Sequence, residues 1–298
     1  MKKLLKRAFM PFAALLAFGS AGQAAAKGSA ARPAMWAVSD ADTTVYLFGT
    51  IHLLPTAYQW RTTKFDQAIS GSQQLMVETI VDQQNPHEMM QALASLAFSP
   101  NLPPIAERVP PEKRAALEAA IAKSGIPRAS FDKMETWAAA FMLLGNQFKA
   151  MGLKVGEGVE IVLRNAFTSQ GKSVGQLESN REQLSFFDGL PESAQRALLE
   201  GSIEESTNMN KDFQAMLGAW ARGDVDEIAD TFNRDLAVSP ELKEALLKRR
   251  NANWSRWVEQ RMAAPGSVMV AVGAGHLAGS DSVVAMLKKS GYRVRRVQ

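Results

Sequence analysis

The chain has 298 residues, with 34 lysines and arginines, 30 aspartates and glutamates, three histidines and no cysteine. The lack of cysteine excludes disulfides, a lipid-modified cysteine anchor and a cysteine nucleophile. Four basic residues and no acidic residue lie in residues 1–26, so the rest of the chain has 30 basic and 30 acidic residues. This balance gives no support to nucleic-acid binding, and we expect no nucleic-acid partner.

The first 26 residues have the pattern of a secretion signal. A basic start from Lys2 to Arg7 is followed by an apolar stretch over 8–19, too short to span a bilayer, and by small residues over 24–26. We therefore expect cleavage before Lys27, a periplasmic or secreted protein, and no stable membrane anchor after cleavage.

The chain after the signal begins with strands and one helix. Two apolar runs, Met35–Val38 and Val45–Phe48, are predicted to pair as a hairpin, and a short helix is predicted over 64–70. The next run ends in Glu78 and is predicted as a buried strand over 75–78, because the residues before Glu78 are apolar on both faces.

A helical pattern occupies about 86–262, where apolar residues recur at spacings of three and four. The predicted helices cover 86–97, 111–124, 130–151, 158–170, 191–216 and 239–262. One strand is predicted among them, over 172–177, and Glu178 directly follows it.

The C-terminal segment returns to alternating elements. Strands are predicted over 268–272 and 292–297, with a helix over 280–289 between them. This order is typical of a parallel crossover.

Together these elements predict one α/β domain over 27–298. Residues 34–80 and 265–298 should form a split, mostly parallel sheet core, and about 86–262 should be a large helical insertion. In such a sheet the carboxyl ends of the strands share one edge, where open α/β folds bind ligands.

Two of the three histidines lie in the same local frame after a strand. Gly49-Thr50-Ile51-His52 follows the second predicted strand, and Gly273-Ala274-Gly275-His276 follows the strand over 268–272. We expect both imidazoles at the shared edge, where a neutral imidazole can be a metal ligand or a general base.

Glu78 ends a third strand at the same predicted edge. A carboxylate on a buried strand needs a partner or a metal. His52, Glu78 and His276 are therefore the predicted ligands of a catalytic divalent metal, with Mn, Co, Zn or Fe all suited to the donors. Metal-activated water would then serve as the nucleophile of a hydrolase.

Several motifs in order resemble the TraB/PrgY/GumN family, which includes the animal Tiki proteases. They are Phe48–Leu53, Met76–Glu78, Leu177–Glu178, Arg250–Asn251 with Trp254, and Val272–Gly279. The resemblance spans roughly Met35 to Val297 and is greatest to the bacterial GumN-like branch. It implies a fold related to erythromycin-esterase-like and ChaN-like proteins, and a metal-dependent, peptidase-like activity on a peptide or small-molecule substrate.

The resemblance also implies three further site residues. Glu178 would be a ligand or general base, and Arg250 would hold a substrate carboxylate or stabilise an oxyanion. Glu160, in Gly158-Val159-Glu160, opens a predicted helix, where the helix dipole alone favours a carboxylate. We therefore rank Glu160 below Glu78 and Glu178.

Two other functions stay open. A non-catalytic binding or regulatory protein could use the histidines and Met-rich helices to hold a peptide or haem. A metal-free hydrolase could use a histidine as its base and a glutamate as the partner of that histidine. The patterns do not indicate a substrate or an oligomeric state.

Overall fold

The computed structural model describes residues 31–298 except 56–57, 83–84, 152, 154–157, 204–205 and 238. The predicted signal over 1–26 lies outside these residues, so its cleavage and the export of the protein stay predictions. No described helix is long and apolar enough to cross a membrane.

Six strands of the described chain form one mixed sheet. They are β1 (Met35–Ser39), β2 (Thr43–Thr50), β3 (Gln74–Val77), β4 (Ser173–Gln176), β5 (Gly266–Gly273) and β6 (Val294–Arg296), in the order β4-β3-β5-β2-β1-β6. The pairs β4/β3, β3/β5 and β5/β2 are parallel, whereas β1 is antiparallel to both β2 and β6. This confirms the predicted α/β class with a mostly parallel sheet.

The predicted hairpin and crossover both form. β1 and β2 meet across a tight turn in which Asp40 Oδ1 accepts a hydrogen bond from Thr43 N at 2.9 Å. β6 runs parallel to β5, but it pairs with the antiparallel strand β1 at the edge of the sheet. The crossover therefore passes over two strands.

Most α-helices of the described chain come after β3 and before β5 in the sequence. The α-helices are α1 (Thr63–Gly71), α2 (His87–Leu96), α3 (Arg114–Ser124), α4 (Arg128–Lys133), α5 (Thr136–Ala150), α6 (Val159–Thr168), α7 (Asn180–Asp188), α8 (Glu192–Gly201), α9 (Ser206–Arg222), α10 (Val225–Leu236), α11 (Pro240–Lys243), α12 (Arg249–Met262) and α13 (Val283–Lys289). Short 3₁₀ segments cover Ile105–Glu107, Pro111–Lys113 and Ala274–Leu277, and a π-helical turn covers Glu244–Lys248.

Several predicted helices are divided in the structure. The helix predicted over 130–151 is interrupted because Met134 is extended and bridges Phe98, while Glu135 N donates to Ala97 O at 2.8 Å. The helix predicted over 191–216 is likewise two helices, α8 and α9, and α7 and α10 were not predicted. Tertiary pairing here outweighs the local helical pattern.

The four inner strands β1, β2, β3 and β5 are largely buried, and their alternating side chains pack on both faces of the sheet. Val45 and Leu47 of β2 belong to a cluster with Trp254 of α12 and Leu287 of α13. Phe48 faces the opposite side, in the larger cluster that includes the helical insertion. With both faces covered, the carboxyl edge of the parallel strands is where polar groups converge.

Candidate functional site

The carboxyl ends of β2 and β5 bring the two glycine–histidine frames together. In the parallel register Thr50 lies opposite Gly273. A methyl group built on Gly273 would lie 3.2 Å from Glu78 Oε1, 3.5 Å from His276 Cδ2 and 3.9 Å from His52 Nε2. The three residues predicted as ligands therefore surround one glycine, and only a residue without a side chain leaves that space open.

Arg250 is at the centre of a buried charge cluster, with 1% of its side chain exposed. Its Nε donates to Glu178 Oε1 at 3.0 Å, and its Nη2 donates to Glu178 Oε2 at 2.8 Å and to Glu78 Oε2 at 2.7 Å. Its guanidinium carbon lies 4.6 Å from the ring centre of Trp254 and 5.5 Å from that of Phe186. The cation is thus held by two carboxylates and two aromatic faces.

A π-helical turn places Arg250 in this position. The turn, Glu244–Lys248, directly precedes α12, whose second residue is Arg250. Such a turn inserts one residue into a helix and changes which side chains face a neighbour, so π turns are frequent at functional sites.

Glu78 is ionised and held by three donors. Its Oε1 accepts from Gly273 N at 2.6 Å, and its Oε2 accepts from Arg250 and, at 3.2 Å, from Gln183 Nε2. Burial raises the pKa of Glu78, but the charge of Arg250, the two nearby histidines and the hydrogen bond from Gly273 N together outweigh burial and lower that pKa to about 2. Glu78 therefore carries a full negative charge at any ordinary pH.

His276 is buried, neutral and fixed in one tautomer. Asn251 Nδ2 donates to Asp281 O at 2.7 Å, so Asn251 Oδ1 faces His276 Nδ1 at 2.6 Å and accepts a hydrogen bond from the Nδ1–H group. His276 Nε2 is then an acceptor, 3.2 Å from Arg250 Nη1. Burial and the nearby charge of Arg250 lower the pKa of His276 to about 3.

His52 differs from His276 in its partner and in its access to solvent. Its Nδ1 lies 2.8 Å from Glu160 Oε1, which also accepts a hydrogen bond from Thr50. Burial alone would lower the pKa of His52, but the Glu160 carboxylate outweighs burial and raises it to about 9. The side chain of His52 is 27% exposed, whereas that of His276 is 2% exposed.

The start of α6 positions Glu160 beneath His52. Val159 N donates to Ile51 O at 3.2 Å, which ties the first turn of α6 to the loop after β2. Glu160 is the second residue of that turn. Its position at the helix start was a reason to rank it low from the sequence, yet it is the carboxylate that orients His52.

His52 also lines a narrow, mostly apolar pocket that is partly open to solvent. The described lining residues are Thr50, Ile51, His52, Leu53, Phe213, Met216, Trp220, Ile228, Phe232, Gly273 and Ala274. His52 is therefore a predicted site residue that lines a space where a ligand can bind, whereas Arg250 and its partners do not line this pocket.

The donors as arranged do not fit the predicted three-ligand metal set. Glu78 Oε2 and His276 Nε2 both face N–H groups of Arg250, which is itself a cation. Among the described residues, no three His, Cys, Asp or Glu side chains are grouped so that they could hold a metal ion. Metal binding by His52, Glu78 and His276 stays a prediction.

Two sequence features outside the site have ordinary positions. His87 is exposed at the start of α2. Gly171-Lys172-Ser173-Val174-Gly175 has the spacing of a serine-nucleophile motif, but Ser173 is exposed and begins β4. A nucleophile elbow instead lies in the turn from a strand into a helix.

The structure adds two residues to the predicted set. Asn251 fixes the tautomer of His276, and Gln183 of α7 contacts Glu78. Arg250–Asn251 is one of the motifs of the sequence, but no role was predicted for Asn251. Gln183 carried no signal, because α7 was not predicted.

Comparison with known proteins supports one assignment. The chain is 26% identical over 247 residues to the uncharacterized protein YbaP of Escherichia coli K12 and, to the same extent, to that of Shigella flexneri. The aligned region covers 82% of this chain and 87% of each relative. No solved structure gives a significant match. The model of the TraB/PrgY/gumN family matches residues 34–296, and the chain therefore belongs to that family.

Proposed function

We propose that this chain is an exported, peptidase-like hydrolase in which His52 acts as the general base. The observation that carries the proposal is the contact of 2.8 Å between His52 Nδ1 and Glu160 Oε1, with the same imidazole lining the pocket. A histidine oriented by a carboxylate and open to a ligand space is the arrangement that general-base catalysis needs. The substrate would be a peptide or another small amide or ester.

The chemistry follows from the two nitrogens of the His52 ring. When the ring is neutral, as it is above about pH 9, Nδ1 donates to Glu160, and Nε2 can accept a proton from a water molecule as that water attacks the substrate carbonyl carbon. The Glu160 carboxylate stabilises the resulting imidazolium. The same proton then passes from Nε2 to the leaving nitrogen or oxygen as its bond to carbon breaks.

The Arg250 cluster contributes to this step by holding the residues of the site in place. Arg250 donates to Glu78 and Glu178 and faces His276 within the protein, so we propose that it holds the strand ends rather than a substrate carboxylate or oxyanion. The oxyanion role implied by the family resemblance would require some of these bonds to break.

A metal-dependent form of the hydrolase is the second candidate. It is favoured by the convergence of Glu78, His276 and His52 around Gly273. It requires Arg250 to leave Glu78 and His276, which the present arrangement does not favour.

Metal analysis separates the two forms. We expect protein purified without added metal to contain less than stoichiometric Mn, Co, Zn or Fe, and its hydrolysis to survive a strong chelator. Stoichiometric metal that is lost in His276→Ala, together with activity that a chelator removes, would establish the metal-dependent form instead. The base assignment itself is tested by comparing peptide hydrolysis by the native protein and by His52→Ala.

A further inference from the structure

The two glycine–histidine frames differ in the residue that follows their first glycine. In the first frame this residue is Thr50, and in the second it is Ala274. Thr50 is the last residue of β2, is 1% exposed, and lies opposite Gly273 of β5 in the parallel register. The first frame therefore places a buried hydroxyl at the edge of the sheet, where the second frame has a methyl group.

The Thr50 hydroxyl and the His52 ring share one acceptor atom. Thr50 Oγ1 donates to Glu160 Oε1, and His52 Nδ1 lies 2.8 Å from the same oxygen. Thr50 and His52 are two residues apart, whereas Glu160 is 110 positions from Thr50 in the chain and belongs to α6. A distant carboxylate is thus held by two groups of the segment that leaves β2.

The backbone that carries Glu160 is fixed by other contacts. Val159 N donates to Ile51 O at 3.2 Å, and a methyl group built on Gly158 would clash with His52 O. The start of α6 therefore lies directly against the loop after β2. A glutamate side chain has three rotatable bonds beyond that backbone, so a contact at the carboxylate itself is needed to select one orientation.

The other histidine of the site has a partner that is anchored in the same manner. His276 Nδ1 faces Asn251 Oδ1, and Asn251 is held by the hydrogen bond from its Nδ2 to a backbone carbonyl. For His52 the partner is Glu160, and the second hydrogen bond comes from Thr50. A partner that is itself hydrogen-bonded fixes the orientation of an imidazole ring.

We propose that Thr50 is a positioning residue of the hydrolase, and that its hydroxyl holds the Glu160 carboxylate against Nδ1 of His52. This proposal rests on the proposed role of His52 as the general base. Thr50 acts through Glu160, which orients the ring and stabilises the imidazolium that forms during the reaction. Without the hydroxyl the carboxylate can rotate away from the ring, so the base loses part of both effects.

Thr50→Val tests the proposal, because valine keeps the β-branched shape of threonine and removes its hydroxyl. The measurements are kcat and KM from pH 5 to 10 and the titration of His52, followed by NMR of isotope-labelled histidine. We expect kcat to fall roughly tenfold with little change in KM, since the lost contact is to the partner of the base and not to the substrate. Both pH midpoints should fall by roughly 1 pH unit or less. The charged groups that act on His52, which are Glu160, Glu78 and Arg250, are all retained in this variant.

Thr50→Ser and Thr44→Val are the matched controls. Serine keeps the hydroxyl, so Thr50→Ser should retain most of the native rate and the native midpoint. Thr44 lies on the same strand, is half-buried and donates to Ser39 Oγ at 3.3 Å, so Thr44→Val should behave as native. If Thr50→Val does not fold, Thr50→Ala, which reproduces the residue of the second frame, should show the same losses.

A double variant shows whether Thr50 acts through Glu160. The acceptor is absent from Glu160→Ala, so adding Thr50→Val to that variant should change its remaining rate by less than about twofold. A further loss of roughly tenfold in the double variant would overturn the proposal. A native rate and midpoint in Thr50→Val, or a midpoint that rises, would overturn it as well.

The NMR titration separates this inference from the hydrolase proposal. Hydrolysis that requires His52 but is unaffected by Thr50→Val would leave the hydrolase standing and refute the role of Thr50. A lowered His52 midpoint in Thr50→Val but not in Thr44→Val, in a protein that cleaves no peptide, would support the positioning of Glu160 by Thr50 and refute the hydrolase.

Discussion

Changing Glu160 to glutamine should lower the midpoint of the pH–activity profile by about 2.5 pH units or more and reduce the maximal rate. In the native protein kcat/KM should rise about tenfold per pH unit until pH reaches about 9, because the base must be neutral and its pKa is about 9. Glutamine removes the negative charge that raises this pKa, while burial, which lowers it, remains. The midpoint should then approach 6.5 or lie below it.

The maximal rate should also fall, by roughly 10²-fold or more, because glutamine stabilises the imidazolium less well than a carboxylate does. The measurement is kcat/KM from pH 5 to 10 for the native protein and Glu160→Gln. Glu118→Gln, at an exposed carboxylate paired with Arg128, is the control and should match the native profile. An unchanged midpoint in Glu160→Gln, or native activity that declines as pH rises towards 9, would contradict the role of His52 as base.

Replacing Arg250 by glutamine should destabilise the fold by roughly 3–5 kcal/mol. Glu78 and Glu178 are both buried and both accept from this guanidinium, so its loss leaves two carboxylates without their cation. Arg250→Lys should be destabilising as well, because an ammonium cannot reproduce the forked contacts with Glu178.

Urea denaturation at pH 7 gives the change in the free energy of unfolding. Arg222→Gln is a suitable control, since Arg222 contacts Glu227 at 2.7 Å but its side chain is 59% exposed. Exposed pairs contribute little, so this variant should unfold close to the native midpoint. Similar losses for Arg222→Gln and Arg250→Gln would show that the buried cluster has no special role in stability.

The residues at the carboxyl edge of the sheet could be predicted from the sequence, because local apolar runs identify the strands that lead to them. Apolar runs that end in His52, Glu78 and His276 lie on β2, β3 and β5, and these three strands are adjacent and parallel. The carboxyl ends of adjacent parallel strands lie at the same edge of a sheet, so the convergence of these residues could be predicted once the strands were assigned.

The division of roles between the two histidines was not predictable in the same way. It depends on α6, which brings Glu160 to His52, and on the π turn before α12, which brings Arg250 to Glu78. A helix register altered by one residue leaves no periodic signal. From the sequence the two frames looked equivalent, whereas in the fold His276 is buried in the charge cluster and His52 faces the pocket.

The helical insertion shows the same limit. The helix predicted over 130–151 was divided where extended backbone at Met134 pairs with Phe98. Such pairings join residues far apart in the chain and are not encoded in local spacing. α10, which forms part of the pocket wall, was not predicted although its apolar residues recur at helical spacing.

The most direct test of the proposed function is hydrolysis of a peptide library at pH 9 by the native protein, His52→Ala and His87→Ala. His87 is exposed at the start of α2, so its variant controls for the loss of an imidazole. We expect native and His87→Ala to cleave the same peptides at similar rates, and His52→Ala to be slower by roughly 10²–10⁴-fold. Cleavage by His52→Ala at the native rate, or no cleavage by the folded native protein, would contradict the assignment of His52 as the base of a hydrolase.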